Sequence, residues 1–166
     1  IIRNRRSEDE DYNIRQLVEI PYDMQTNFNN TEYNVYRELA LWIESQSLNY
    51  EIYMNRYKKV VSAFFSSASA FKSSLAASHL SIPSELLQLA MEWGKEELAN
   101  CRNISDYMED PTDYVSRINN IVDYIDQEAN GKKVLVFTNF DETFQLYRNI
   151  LENYFGKEHC AFFSKY

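Results

Sequence analysis

Apolar residues recur at helical spacing through most of this chain. Tyr33, Tyr36, Leu39, Ala40 and Ile43 fall on one face and predict a helix to about Ser45, with Asn29-Asn30-Thr31 supplying cap residues. Tyr53, Tyr57, Val60, Val61 and Phe64 mark a second helix over residues 48–65. Ser66-Ser67-Ala68-Ser69 interrupts it, because serine hydroxyls compete for backbone hydrogen bonds and favour caps. Phe71 and Leu75 mark a short third helix. Pro83 and Ser84 open a fourth with Leu86, Leu87, Ala90, Trp93 and Leu98, and residues 100–109 form a polar break. Asp110-Pro111, a cap followed by proline, starts a fifth helix with Tyr114, Ile118, Ile121, Val122 and Ile125, which Gly131 ends. Upstream, Leu17, Val18 and Ile20 predict a short strand over residues 14–22 that Pro21 terminates.

The last stretch has a different pattern. Val134-Leu135-Val136-Phe137 is apolar without alternation, which predicts a strand buried on both faces of a parallel sheet. Asp141 is placed to cap the next helix, whose face carries Phe144, Tyr147, Ile150, Leu151 and Tyr154, and Gly156 stands where a left-handed C-cap falls. His159-Cys160-Ala161-Phe162-Phe163 predicts a second strand, and the connection between the two suits a right-handed parallel crossover. The expected fold is mainly α with a small parallel α/β part: a helical block packed on one β-α-β unit. The expected divisions are a connector over 1–13, a short strand plus helical insertion over 14–130, and the β-α-β unit over 131–166. A lone β-α-β unit cannot close a core, and the first residue is Ile, so a piece of a longer protein is expected.

Composition narrows the class. The chain has 166 residues, 45% hydrophobic and 15% aromatic, with 13 Tyr and 10 Phe, as expected of one globular domain. Three Gly and three Pro favour long helices over a loop-rich fold. A net charge of −8 argues against nucleic-acid binding through bulk electrostatics and leaves room only for a local basic patch. Two cysteines suit a reducing, cytoplasmic setting, and no apolar run approaches a membrane span.

Catalytic and metal chemistry find little support. Gly94-Lys95 and Gly131-Lys132 do not end a glycine-rich phosphate cradle, so nucleotide hydrolysis by this segment alone is not expected. His79, His159, Cys101 and Cys160 lack metal-ligand spacing, and no nucleophile is arranged with a base; no catalytic or metal residue is assigned. Phe137-Thr138-Asn139-Phe140-Asp141-Glu142-Thr143 resembles the first motif of haloacid-dehalogenase-like phosphatases. Asn139 stands at the nucleophile position, however, and an amide forms no aspartyl-phosphate, leaving a degenerate phosphatase fragment as one alternative. Thr138 and Asn139 stand at the carboxyl end of the expected strand, where open α/β sheets bind ligands. Their hydroxyl, amide and backbone N–H groups suit a phosphate, and equally suit a plain turn and helix cap. Arg3, Arg5 and Arg6 either pair with phosphates or are solvated linker charges.

Several segments, in order, resemble one family. Lys133-Val134-Leu135-Val136-Phe137-Thr138-Asn139-Phe140 is similar to the strand that opens the second RecA-like lobe of Swi/Snf-type and RapA-like helicase-like ATPases. Ile2-Arg3-Asn4-Arg5-Arg6 resembles the connector leaving the first lobe. Residues 15–24 resemble the strand after it, and residues 31–39 the helix after that. Phe65-Ser66-Ser67-Ala68-Ser69-Ala70-Phe71-Lys72-Ser73-Ser74-Leu75 resembles the A-S-S-P segment of bacterial members, with the proline replaced; the family's His-Gly pair is not matched at Phe162-Phe163-Ser164.

The resemblance implies a fragment of an ATP-dependent translocase acting on duplex DNA: interlobe connector, helical insertion and the incomplete start of lobe two. It implies that Thr138, Asn139 and Ser164 lie near the DNA backbone and that Arg3, Arg5 and Arg6 belong to the interlobe hinge. ATP and Mg²⁺ would be cofactors of the parent protein, bound outside this segment, with the first lobe and the rest of the second as missing partners. From a different class, a helical protein–protein interaction domain is the other alternative, motivated by the tyrosines and acidic surface.

Overall fold

A computed structural model describes residues 30–47, 49–102, 117–128 and 133–164. The expected strand over 14–22, the Asp110-Pro111 helix start, Gly131 and the three connector arginines lie outside the described residues. Among the described residues the chain is mainly helical. Asn30–Ser45 forms α1. Asn49 then caps the next helix, its Oδ1 accepting from the Ile52 N–H at 2.8 Å. That helix opens as Tyr50–Ile52 (α2), passes through a π-helical turn at Tyr53–Tyr57, and resumes as Lys58–Phe64 (α3). Ala68–Ala77 (α4) and Ser84–Arg102 (α5) complete a helical block. Arg117–Gln127 (α6) and Asp141–Phe155 (α7) follow, then a 3₁₀ turn at Lys157–His159. No helix among the described residues is long and apolar enough to cross a membrane.

The stripes read from the sequence become the core only in part: on α1 the buried face is Val35, Leu39 and Trp42, with Tyr36 exposed, and on α5 Leu87 and Leu98 are exposed. Val35, Leu39 and Trp42 of α1 meet Tyr57, Val60 and Phe64, then Phe71 and Leu75 of α4 and Leu86, Ala90 and Trp93 of α5. Phe64 is central, its ring 5.6 Å from Phe71 and 5.2 Å from Trp93. Burying such a side chain is worth about 1.5–3 kcal/mol. A second cluster joins α6 to α7 through Ile118, Val122, Leu146, Tyr147 and Ile150. Helix α7 packs on α4 and α5, so the two clusters abut.

The α/β part departs from expectation. Among the described residues there is no strand; residues 133–138 are non-helical but have no β-ladder partner. A ladder needs a neighbouring backbone to take its N–H and C=O groups, and the second apolar run lies against α7 instead. Cys160 Sγ donates to the Leu151 carbonyl at 3.5 Å, and the Phe162 ring meets Phe144 edge-on at 6.1 Å with the Arg148 guanidinium 5.5 Å away. Residues 160–162 therefore run back along α7 toward its start. His159 sits in the 3₁₀ turn, not in a strand. Leu135, Phe137 and Phe163 are left 80–89% exposed.

Two helix boundaries also differ. The residue before α7 is Phe140, extended and without a side-chain cap, while Asp141 is the first helical residue. There, with Glu142, it complements the positive end of the helix dipole. The expected polar break starts later, because α5 runs on to Arg102. Gly156 ends α7 at φ 87°, ψ 148°, a conformation open to glycine and costly for other residues. A Cβ there would also come within 2.6 Å of Glu158 Oε1. Gly156→Ala is expected to lower stability by about 1–3 kcal/mol in urea unfolding. An unchanged midpoint would contradict this backbone geometry.

Candidate functional site

Where the two clusters abut, the contacts are polar. Helix α4 starts inside the protein, so its first N–H groups need partners other than water. Ser67 Oγ accepts from the Ala70 N–H at 3.1 Å. Glu97 of α5 supplies the rest: the Ala68 N–H donates to Oε1 at 2.9 Å and the Ser69 N–H to Oε2 at 3.1 Å. Burial pushes the Glu97 carboxyl above its usual value of 4.5, opposed by those two N–H groups and by Arg117, and reinforced by Glu32.

Arg117, the first residue of α6, gathers three other elements. It forms an ion pair with Glu32 of α1, and its Nη2 donates to the Phe64 carbonyl at the end of α3 at 2.9 Å. Its guanidinium lies 5.4 Å from the Phe64 ring and 5.5 Å from the Trp93 ring. Beside it, Thr143 of α7 is buried, with Oγ1 2.7 Å from both Ser66 Oγ and Ser67 Oγ. This hydroxyl cluster ties the α3–α4 turn to the first turn of α7.

The sequence-nominated residues are not part of this layer. Thr138 forms a local turn: its Oγ1 accepts from the Phe140 N–H and donates to the Phe140 carbonyl, each at 3.2 Å. Asn139 is exposed, immediately before α7. Ser164 is exposed beyond the tail that returns along α7. Arg3, Arg5 and Arg6 lie outside the described residues. Among the described residues no three His, Cys, Asp or Glu side chains cluster as metal ligands. Burial raises the Cys160 thiol pKa, with Glu152 and Glu158 adding to the shift, which holds it in the less reactive thiol form.

Sequence reasoning missed Glu32, Glu97, Arg117 and Thr143. The signal was there: Glu97 shares the helical register of Leu86, Ala90 and Trp93, and Glu32 that of Val35, Leu39 and Trp42. A carboxylate on a core-facing stripe requires a buried partner. No family model matches the chain, and comparison with curated proteins and with solved structures yields no match either.

Proposed function

We propose that this chain is the part of a Swi/Snf-like or RapA-like DNA translocase that joins its two RecA-like lobes and opens the second. The observation that carries this reading is the contact between one motif-like segment and the helix that follows the other. Ser66 and Ser67, from the segment resembling A-S-S-P, contact Thr143, three residues past the segment resembling K-V-L-I-F-T-x-F. The course of residues 160–162 back along α7 also supports it, since a second parallel strand runs antiparallel to its crossover helix. The exposed Leu135, Phe137 and Phe163 are side chains that a completed sheet would bury.

In this reading Thr138, Asn139 and Ser164 face the DNA backbone, Arg3, Arg5 and Arg6 form the interlobe hinge, and the protein works in the cytoplasm. ATP and Mg²⁺ belong to the parent protein, whose nucleotide-binding motifs stand outside these residues. Replacing Thr138 and Asn139 together by Ala in the full-length protein is expected to lower DNA-stimulated ATP hydrolysis about tenfold, roughly 1.4 kcal/mol. Undiminished stimulation sinks the assignment of these two residues.

A second reading, a helical interaction module, is favoured by Leu87, Met91 and Leu98, exposed along one side of α5. The parent reading frame separates the two. A Gly-Lys-Thr loop and an acidic Mg²⁺ motif upstream, with arginine motifs downstream, support the motor; their absence supports the module.

A further inference from the structure

The chain has 25 acidic residues, yet residues 52–84 contain none. That stretch starts at Ile52, the last residue of α2, spans the π-helical turn, α3 and α4, and carries Arg56, Lys58, Lys59 and Lys72. Arg56, Lys58 and Lys59 are all exposed. None of them has a carboxylate within ion-pair distance among the described residues. Their neighbours three and four positions away are neutral or basic, and α4, which packs on α3, adds Lys72 and no acid. The helix turns Tyr57 and Val60 into the core and leaves Arg56, Lys58, Lys59 and the exposed Ser62 on the outer side. A compact basic island with hydroxyls, on a protein of net charge −8, matches a polyanionic backbone.

The island is continuous with the site described above. The α3–α4 turn that ends it contacts Thr143, five residues past Thr138. The acids along that route are the buried Glu97, held by the Ala68 and Ser69 N–H groups, and then Asp141 and Glu142 at the start of α7.

We propose that the outer face of the α2–α4 hairpin, through Arg56, Lys58 and Lys59, binds the phosphate backbone of duplex DNA. The surface extends the contact of the helical block beyond the Thr138–Asn139 turn and rests on the translocase reading. Its test is fluorescence anisotropy with a labelled duplex of about 30 base pairs at about 50 mM salt, comparing the wild-type chain with R56E/K58E/K59E. The three positions are exposed, so circular dichroism is expected to show an unchanged fold. The variant is expected to bind at least about tenfold more weakly, with a log K against log salt slope shallower by about 2–3. Unchanged affinity and slope overturn the proposal, as does tighter wild-type binding to an acidic peptide or to single-stranded RNA than to the duplex.

The same changes in the full-length protein separate this surface from the reading beneath it. If wild-type ATP hydrolysis responds to DNA and the variant needs no more DNA for half-maximal stimulation, the surface is wrong and the motor stands. If wild-type hydrolysis ignores DNA, the motor falls, and the anisotropy alone decides the surface.

Discussion

Arg117→Ala is expected to destabilise the protein by about 3–5 kcal/mol, the cost of breaking a buried ion pair by deleting one partner. Glu32 keeps only 3% of its side-chain surface in solvent, so its charge would be stranded without the guanidinium. The Phe64 carbonyl would lose a charged donor, and the Phe64 and Trp93 rings would lose the cation against them. In a chain of this length the melting temperature should fall by roughly 10 °C. The loss is expected to be non-additive. Adding Glu32→Gln to Arg117→Ala should recover at least about 1 kcal/mol, because the stranded charge is then gone. Strict additivity in urea unfolding would show that the two side chains do not act as a pair.

Glu97 carries the second large effect. Glu97→Ala leaves the Ala68 and Ser69 N–H groups without their acceptor, at about 1–3 kcal/mol each. Glu97→Gln keeps one accepting oxygen and should cost less. The pH dependence of that smaller deficit tests the electrostatics. Burial raises the folded-state pKa above 4.5, so between 4.5 and that raised value the folded chain binds more protons than the unfolded one. The Glu97 contribution to stability is therefore greatest below 4.5 and declines as pH rises through this window. Glutamine does not titrate. The deficit of Glu97→Gln relative to wild type should thus shrink between about pH 4 and pH 7. A deficit that widens with pH would mean that the N–H donors and Arg117 outweigh burial.

The helices were legible because their apolar stripes are regular. Leu86, Ala90 and Trp93 announce both a helix and its buried face, whereas on α1 the stripe through Tyr33 and Tyr36 gives the helix but misplaces the face, which is Val35, Leu39 and Trp42. The π-helical turn was not legible. Tyr53 and Tyr57 sit at ordinary helical spacing, so no local pattern marks the widened turn. The polar layer was hidden for another reason. Glu97 meets Ala68 across 29 positions and Arg117 meets Phe64 across 53, separations that no local pattern encodes. The apolar run at 134–137 has the side-chain character of a buried strand, but a ladder also needs a neighbouring backbone, and none of the described residues supplies one. Position alone nominates Thr138 and Asn139, and they stand in the turn just before α7.

A motor on DNA is the central proposal, and its most direct test is the steady-state ATPase rate of the full-length protein with and without duplex DNA. Duplex is expected to raise the turnover rate by at least about tenfold, a barrier change of roughly 1.4 kcal/mol. A rate indifferent to duplex, or no hydrolysis under either condition, would contradict it.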